Sequence, residues 1–507
     1  MPKLYLFGIG GTGSRVLKAF TMLLASGIKM GNDFNEVVPV IIDPDKDNAD
    51  LTYTSELMKS YIEIRKSATK NDTLPLSEPS FFFTKITPSN NDNFRLDMGN
   101  QISDQTFEQF INMSNLEEKT KKFTKLLFSE ENLNSSMNKG FLGQPNIGSV
   151  VFNKVFSAPN ILDNVFQNFQ EGDRIFIVSS IFGGTGAAGF PVLFKKIRDT
   201  VINNNLSIVR SIIGGTTVLP YFKVTKNRDG AEKNCPIDSS TFMSKTKAAL
   251  QYYKNNLADL NTIYYIGDES GNEKNTYTAW RGGKEQKNKA HFIEFASAAA
   301  IINFANSKNE TFKNDQGAHN PLIVKEFGIK DVDNNNQPVV FENTPINFYH
   351  LTGDEMGKIS ETTTSFYLLS RFFDNSVLNA LNKNHAWTKK LNLPDDYIND
   401  VWFDKLKGFS AKYFKWLEEM KDNYLSFSPF KIYDHGSEER ALDVLCSKSP
   451  KKELSEYMKR DYPYIRYQLN KNAKTKDIID PAADKSLNVL RLFSHVFFNI
   501  TRSQYND

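Results

Sequence analysis

The chain has 507 residues, of which 40% are hydrophobic, 13% aromatic and 24% charged. This composition excludes a wholly disordered or collagen-like protein and leaves room for about two to four domains. Its 62 Lys and Arg nearly cancel 59 Asp and Glu, and a net charge of +3 gives no global electrostatic case for nucleic acid or an anionic membrane. Two cysteines, Cys235 and Cys446, exclude a disulfide framework or a four-thiolate zinc site, and the 6 scattered histidines hold no H-E-x-x-H or other close pairing that would seat a metal.

In chain order, the first half alternates short β-branched runs with helical patterns, the signature of a parallel α/β sheet. Lys3–Phe7 predicts a first strand with no secretory signal before it. A glycine turn follows at Gly8–Ser14, then a helix over Val16–Ser26 and a second strand over Val37–Ile42, ending at Asp43. Residues 51–139 are rich in Asn, Ser, Lys and Glu and are expected to form an insertion on the edge of the sheet. Arg174–Ser179 predicts a buried strand leading into a second glycine loop, Phe182–Gly189, and a helix to about Val201. Further strands are expected over Leu206–Ile213 and Thr262–Ile266, with a helix over Ser244–Leu257 between them. The helix Asn288–Asn306 is apolar nearly all round, which places it inside the molecule. A short β-like region, Leu322–Tyr349, follows, and from about Gly357 the chain reads as mostly helical.

The chemistry lies in the glycine loops. Gly8-Ile9-Gly10-Gly11-Thr12-Gly13-Ser14 sits between a strand and a helix, where backbone N–H groups and the helix dipole favour an anion. Glycine lets the backbone approach phosphate oxygens without a Cβ clash. Alone, this loop fits a dinucleotide enzyme, an adenylating enzyme or a tight turn without a ligand. Phe182-Gly183-Gly184-Thr185-Gly186-Ala187-Ala188-Gly189 repeats the arrangement. Two such loops on one sheet point to a nucleotide whose phosphates are held from two sides. Gly143-Gln144-Pro145-Asn146-Ile147-Gly148 is a third turn suited either to a terminal phosphate or to the surface.

These loops, in this order, resemble the tubulin/FtsZ superfamily, in particular its divergent prokaryotic branch. Gly8–Ser14 is similar to the family's first glycine loop, and Gly143–Gly148 to its terminal-phosphate loop. Gly183-Gly184-Thr185-Gly186 is similar to the core of the tubulin signature, with Phe182 before it and Ala187-Ala188 after. Thr217–Phe222 resembles the Thr-x-Pro-Phe stretch that comes after the signature, Asn261–Asp268 the strand before the base-binding loop, and the helix from Asn288 the family's central helix. The resemblance covers residues 1–306.

It implies an α/β tubulin/FtsZ-like domain over 1–306 with the 51–139 insertion, a small β-like connection over 307–356, and a helical domain over 357–507. It implies GTP or GDP with Mg²⁺, a possible GTPase, and self-association into oligomers or filaments in the cytoplasm. Gly10, Gly11, Thr12, Gly13, Ser14, Asn146, Gly183, Gly184, Thr185 and Gly186 would hold phosphates. Asp43 matches a nucleotide-proximal Asp, and Asp268 and Asn288 lie where base contacts arise. Arg15 stands where FtsZ has Asn and could meet a phosphate charge. The family's hydrolytic acid comes from the next subunit, on a loop after the central helix. The family's acidic spacing is absent there, which leaves Glu294, Glu310 and Asp315 as candidates. Glu294, in an apolar helix, is either catalytic or ion-paired.

Other readings stay open. An adenylating enzyme of the ubiquitin-activating type fits Gly8–Gly13 and Ile42-Asp43-Pro44-Asp45 but lacks a CxxC pair and leaves the second loop unused; a nicotinamide-dinucleotide protein has the same difficulty. A nucleotide-switched scaffold that does not polymerise is a further alternative. Asp331–Glu342 mimics a calcium loop but has Asn336 where Gly is needed, so a polar turn is expected. Trp402, Leu406, Phe409, Tyr413, Trp416 and Met420 form an aromatic stripe along a helix, and Leu487, Leu490, Phe493, Phe497 and Ile500 form a second. Both suit internal packing, or a face for a protein partner. Lys448–Lys452 reads as a solvated basic loop. No stretch is long and apolar enough for a transmembrane segment.

Overall fold

The computed structural model describes residues 2–505 apart from 32–33, 70–79, 90–92, 99–101, 103–104, 138–139, 142, 200–201, 203–204, 226–241, 269–275, 279–282, 285, 328–354, 375–384, 395, 422, 424–460 and 476. At its centre is a 7-stranded sheet of β1 (Lys3–Ile9), β2 (Glu36–Ile42), β3 (Lys85–Ile86), β4 (Arg174–Ser180), β5 (Ile212–Val218), β6 (Thr262–Ile266) and β7 (Ile323–Phe327). The order is β3-β2-β1-β4-β5-β6-β7, and every pairing is parallel. The strands are apolar almost without interruption because both faces are covered; all of β4, Arg-Ile-Phe-Ile-Val-Ser-Ser, is buried.

The helices that cover the sheet are α1 (Gly10–Ala25), α2 (Ala49–Thr69), α3 (Pro145–Ser157), α4 (Thr185–Asp199), α5 (Phe242–Asn256) and α6 (Phe292–Asn306). Two adjacent glycines on β5 show how the faces divide. A methyl added to Gly214 would lie 2.7 Å from the Phe304 ring of α6, whereas one on Gly215 would meet the Phe190 ring of α4. Glycine at both positions lets an aromatic ring lie directly on each side of the strand. Arg174, at the amino end of β4, holds the far end of α6: Nη1 donates to Phe304 O at 2.9 Å and Nη2 to Asn309 Oδ1 at 2.8 Å.

A second helical layer is built from α7 (Glu355–Asp374), α8 (Val401–Lys421) and α9 (Lys485–Tyr505), packed over α2. Both aromatic stripes point inward: all six residues of the first and all five of the second are buried. Packing is therefore their role within this chain. Trp402 Nε1 donates to Ile64 O of α2 at 2.8 Å.

Several expectations shift. The strand expected from Leu206 begins at Ile212; Leu206–Val209 is a helical turn whose start is fixed by Asn205 Oδ1 accepting Ser207 N at 2.9 Å. The central helix begins at Phe292 rather than Asn288, because His291 Nδ1 accepts Ile293 N at 3.1 Å and Glu294 Oε2 accepts His291 N at 3.2 Å, a capping box. Within 51–139, β3 does lie on the sheet edge. The first part, however, is the long helix α2, and Phe81 and Phe82 are fully buried against Phe366 of α7. Of the β-like region after residue 321, Ile323–Phe327 joins the main sheet; its remainder, the calcium-like segment and the basic loop at 448–452 lie outside the described residues. Among the described residues no helix is long and apolar enough to cross a membrane.

Candidate functional site

The strand order reverses direction between β1 and β4. From β1 the chain winds toward β2 and β3, and from β4 it winds the other way, toward β5. The loops leaving the carboxyl ends of these two neighbouring strands diverge at this switch point and open a crevice, the usual ligand position on an open α/β sheet.

Both glycine segments leave from this point. Strand β1 runs to Ile9 and α1 starts at once at Gly10, with no side-chain cap on its first amides. The expected turn is thus the first turn of α1 itself, with Gly10 at φ +76°. Residues 181–184 connect β4 to α4, which starts at Thr185. The two segments touch: a methyl on Gly10 would lie 3.4 Å from Gly186 N and 3.5 Å from Thr185 Cβ. The third turn closes on the second, since a methyl on Gly184 would sit 2.9 Å from Gly143 N and 3.0 Å from Gln144 N. Helix α3 then starts at Pro145, and Gln144 before it provides no side-chain cap. Three helix amino ends, two of them uncapped, therefore converge at the switch point. Their free N–H groups and dipoles favour the same charge, an anion.

The individual residues divide accordingly. Gly10, Gly13, Gly184 and Gly186 are buried at the close approaches, Gly11 and Gly183 are half-exposed, and Thr185 is half-exposed at the mouth. Asn146 is exposed in the first turn of α3. Ser14 is fully enclosed, and its Oγ has no hydrogen-bond partner among the described residues. Asp43, at the carboxyl end of β2, belongs to the same place: a methyl on Gly140 would lie 3.3 Å from Thr185 Oγ1 and 3.9 Å from Asp43 Oδ1. Burial, with Asp45 nearby, pushes the Asp43 carboxyl up to about 7, against the pull of Arg95 and of the Asp45 N–H that it accepts at 2.9 Å. A carboxylate whose charge costs this much beside a hydroxyl is a fitting ligand for a hard cation. Among the described residues no three His, Cys, Asp or Glu cluster as a metal site by themselves.

Beneath the cradle lies a buried charge network. Arg15 Nε donates to Glu294 Oε1 at 2.6 Å, Nη2 to the Tyr221 hydroxyl at 2.7 Å, and Nη1 to Asp50 Oδ2 at 3.4 Å. Tyr221 in turn donates to Glu294 Oε1 at 3.3 Å. Glu294 is 1% exposed, ion-paired and engaged in the α6 cap. Arg15 also borders the first glycine segment: Nη2 donates to Thr12 Oγ1 at 3.5 Å, and a methyl on Gly11 would lie 3.6 Å from Nη1. Burial and the Arg15 charge drive the His291 ring down to about 3, so it is neutral at ordinary pH. Asn288 joins from the other side, donating through Nδ2 to Asp50 Oδ2 at 3.1 Å. Asp268 is buried at the carboxyl end of β6, two strands away from β4.

Three contributors escape sequence reasoning. Gly140, at φ +77°, lies just outside the turn singled out, and only its GFxG neighbourhood hinted at it. Lys245, from α5, donates through Nζ to Gly143 O at 3.0 Å and braces the third turn. Tyr221 lies in the stretch that resembles Thr-x-Pro-Phe, but nothing in that resemblance marks its hydroxyl as a partner of Arg15.

No protein-family model and no curated protein matches the chain. Among solved structures, CetZ from Methanosaeta thermophila strain DSM 6194 is similar at 14% identity and a TM-score of 0.27, over 53% of this chain and 46% of that one. The functional reading rests on the parallel sheet and the converging glycine segments, not on this likeness.

Proposed function

We propose that the chain is a tubulin/FtsZ-like protein that binds a guanine nucleotide in the cradle at the β1/β4 switch point. The observation behind this reading is the approach of Gly10 to Gly186 and Thr185, two glycine-led helix starts far apart in sequence and in contact in the fold. Amides of residues 10–13 and 183–186 hold the phosphates, and Thr185 Oγ1 donates to one of them. Asp43 and Thr185 are the groups suited to Mg²⁺, which when bound neutralises phosphate charge. Asn288, with Nδ2 committed to Asp50, keeps Oδ1 as an acceptor for the base edge. Glu294 orients Arg15 and does not reach the nucleotide. Hydrolysis would then need an acid from elsewhere. Glu310 and Asp315 are exposed just beyond α6, near Asn309, which contacts Arg174 at the amino edge of the sheet, opposite the cradle. A head-to-tail assembly would bring that edge of one copy to the cradle of the next.

Titration calorimetry with GTP, ATP and NAD tests the reading. GTP should bind most tightly in the presence of Mg²⁺. Thr185→Val should weaken it roughly tenfold, the worth of one hydrogen bond to a charged group. Gly184→Val should abolish binding while circular dichroism is unchanged. Preference for ATP or NAD, or indifference to both substitutions, refutes the proposal.

A further inference from the structure

Positive charge gathers on the flank of the molecule where Asp50 and Asn288 lie. Lys18 of α1, Lys287 before α6, and Lys412 of α8 approach a single ring, with Nζ atoms 5.9, 6.0 and 5.8 Å from the centroid of Tyr53 on α2. Together with Lys415 they line a cavity of about 210 Å³. Lys18 is only 6% exposed and has no hydrogen bond or ion pair among the described residues; the Tyr53 ring is its partner. A buried ammonium with no counter-ion is costly, and a ring face compensates only part of that cost.

The carboxylates at the cavity are already committed. Asp50 takes Arg15 at 3.4 Å and Asn288 Nδ2 at 3.1 Å, and Glu419 Oε2 accepts Ala290 N at 2.9 Å. Four lysines and two carboxylates thus line the cavity, a local excess of positive charge in a chain that is close to neutral overall. Lysines from α1, from α8 and from the segment before α6, meeting around one half-open cavity, are more than a solvated surface face. The volume is below that of an ordinary drug-sized pocket and suits a compact oxyanion.

We propose that this cavity is a second anion site, distinct from the phosphate-holding glycine loops and bordering the nucleotide site at Asn288, which takes a small phosphate species such as pyrophosphate. Lys18 is its fixed inner contact, and Lys287, Lys412 and Lys415 close over the anion from the rim. Because the site is built from α1, α2, α8 and the segment before α6, an occupant would tie the C-terminal helical layer to the nucleotide domain.

Titrating inorganic pyrophosphate into the full chain by calorimetry, with inorganic phosphate in parallel, tests it. The wild-type chain should bind pyrophosphate, more weakly as NaCl is raised. Lys18→Met should weaken binding tenfold or more, and Lys412→Gln/Lys415→Gln roughly tenfold, consistent with loss of charge-assisted contacts. Thr185→Val, in the other site, should leave this affinity within about twofold. Should Lys18→Met fail to fold, the double variant on the more exposed positions decides. No binding, binding indifferent to the lysine changes, or binding lost in Thr185→Val would each overturn the proposal, the last by placing the anion in the glycine cradle.

Discussion

Asp43 carries a stability cost that changes with pH. Its carboxyl is raised from 3.8 to about 7 in the folded chain, chiefly by burial. A raised pKa means that the folded state binds the proton more tightly than the unfolded state. Its contribution to stability is therefore complete below about pH 4 and is lost as pH rises through about 7. Asn at this position keeps the acceptor for Asp45 N but cannot ionise. Asp43→Asn should thus gain on wild type between pH 5 and pH 8, by on the order of 2 kcal/mol in denaturant unfolding. A difference that stays constant with pH would show that Asp43 is not penalised. His291 acts with the opposite sign: its depressed pKa adds stability above about 6.5 that is lost as pH falls toward 3, and it does so equally in both proteins. The position of Asp43 at the end of a strand is legible in the sequence; the burial that perturbs it is not.

Between elements, the Arg15–Glu294 pair locks α1 to α6 across the interior, at 2.6 Å with both side chains at most 4% exposed. Removing one partner leaves the other charge buried, which typically costs about 3–5 kcal/mol. Glu294→Ala should lower unfolding stability by about 3 kcal/mol, because Asp50 still faces Arg15. A loss under about 1 kcal/mol would mean that water reaches the pair. Glu294 was recognisable from sequence as an anomalous carboxylate in an apolar helix, but its two readings could not be separated without knowing that Arg15, 279 residues away, lies opposite. The polar 51–139 stretch hid more. Phe82 adopts a left-handed backbone at φ +55° so that it can insert between α2 and α8, where it packs on Tyr61 and Phe409. Local composition does not reveal a plug of this kind, since Phe366 and Phe409, two of its ring partners, come from the C-terminal helices.

At the scale of the whole molecule, the C-terminal helices form an outer layer over the α1, α2 and α6 face, and their aromatic stripes are used up inside it. Those stripes are therefore closed to a second copy, and the head-to-tail assembly proposed above would use the cradle edge of the sheet and its opposite edge beyond α6. Light scattering of concentrated protein should rise with GTP and Mg²⁺ and fall back with GDP. Removing both exposed acids, Glu310→Ala/Asp315→Ala, should slow any GTP turnover without weakening GTP binding, since they lie far from the cradle of their own copy. A GTP-independent scattering signal, or none at high concentration, would exclude nucleotide-driven assembly.

Periodicity and glycine spacing alone determined the α/β class, most strand positions, the helical C-terminal region and the glycine segments that meet at the switch point. Those features are local: a continuous apolar run, a glycine after a strand, a 3.6-residue stripe. Tertiary structure alone decided that Gly140 and Lys245 adjoin the glycine segments, that Arg15 pairs with Glu294, and that lysines from three separate segments share one cavity. Burial, pairing and charge convergence are properties of groups brought together by packing, and residues hundreds of positions apart give no local sign of the company they will keep.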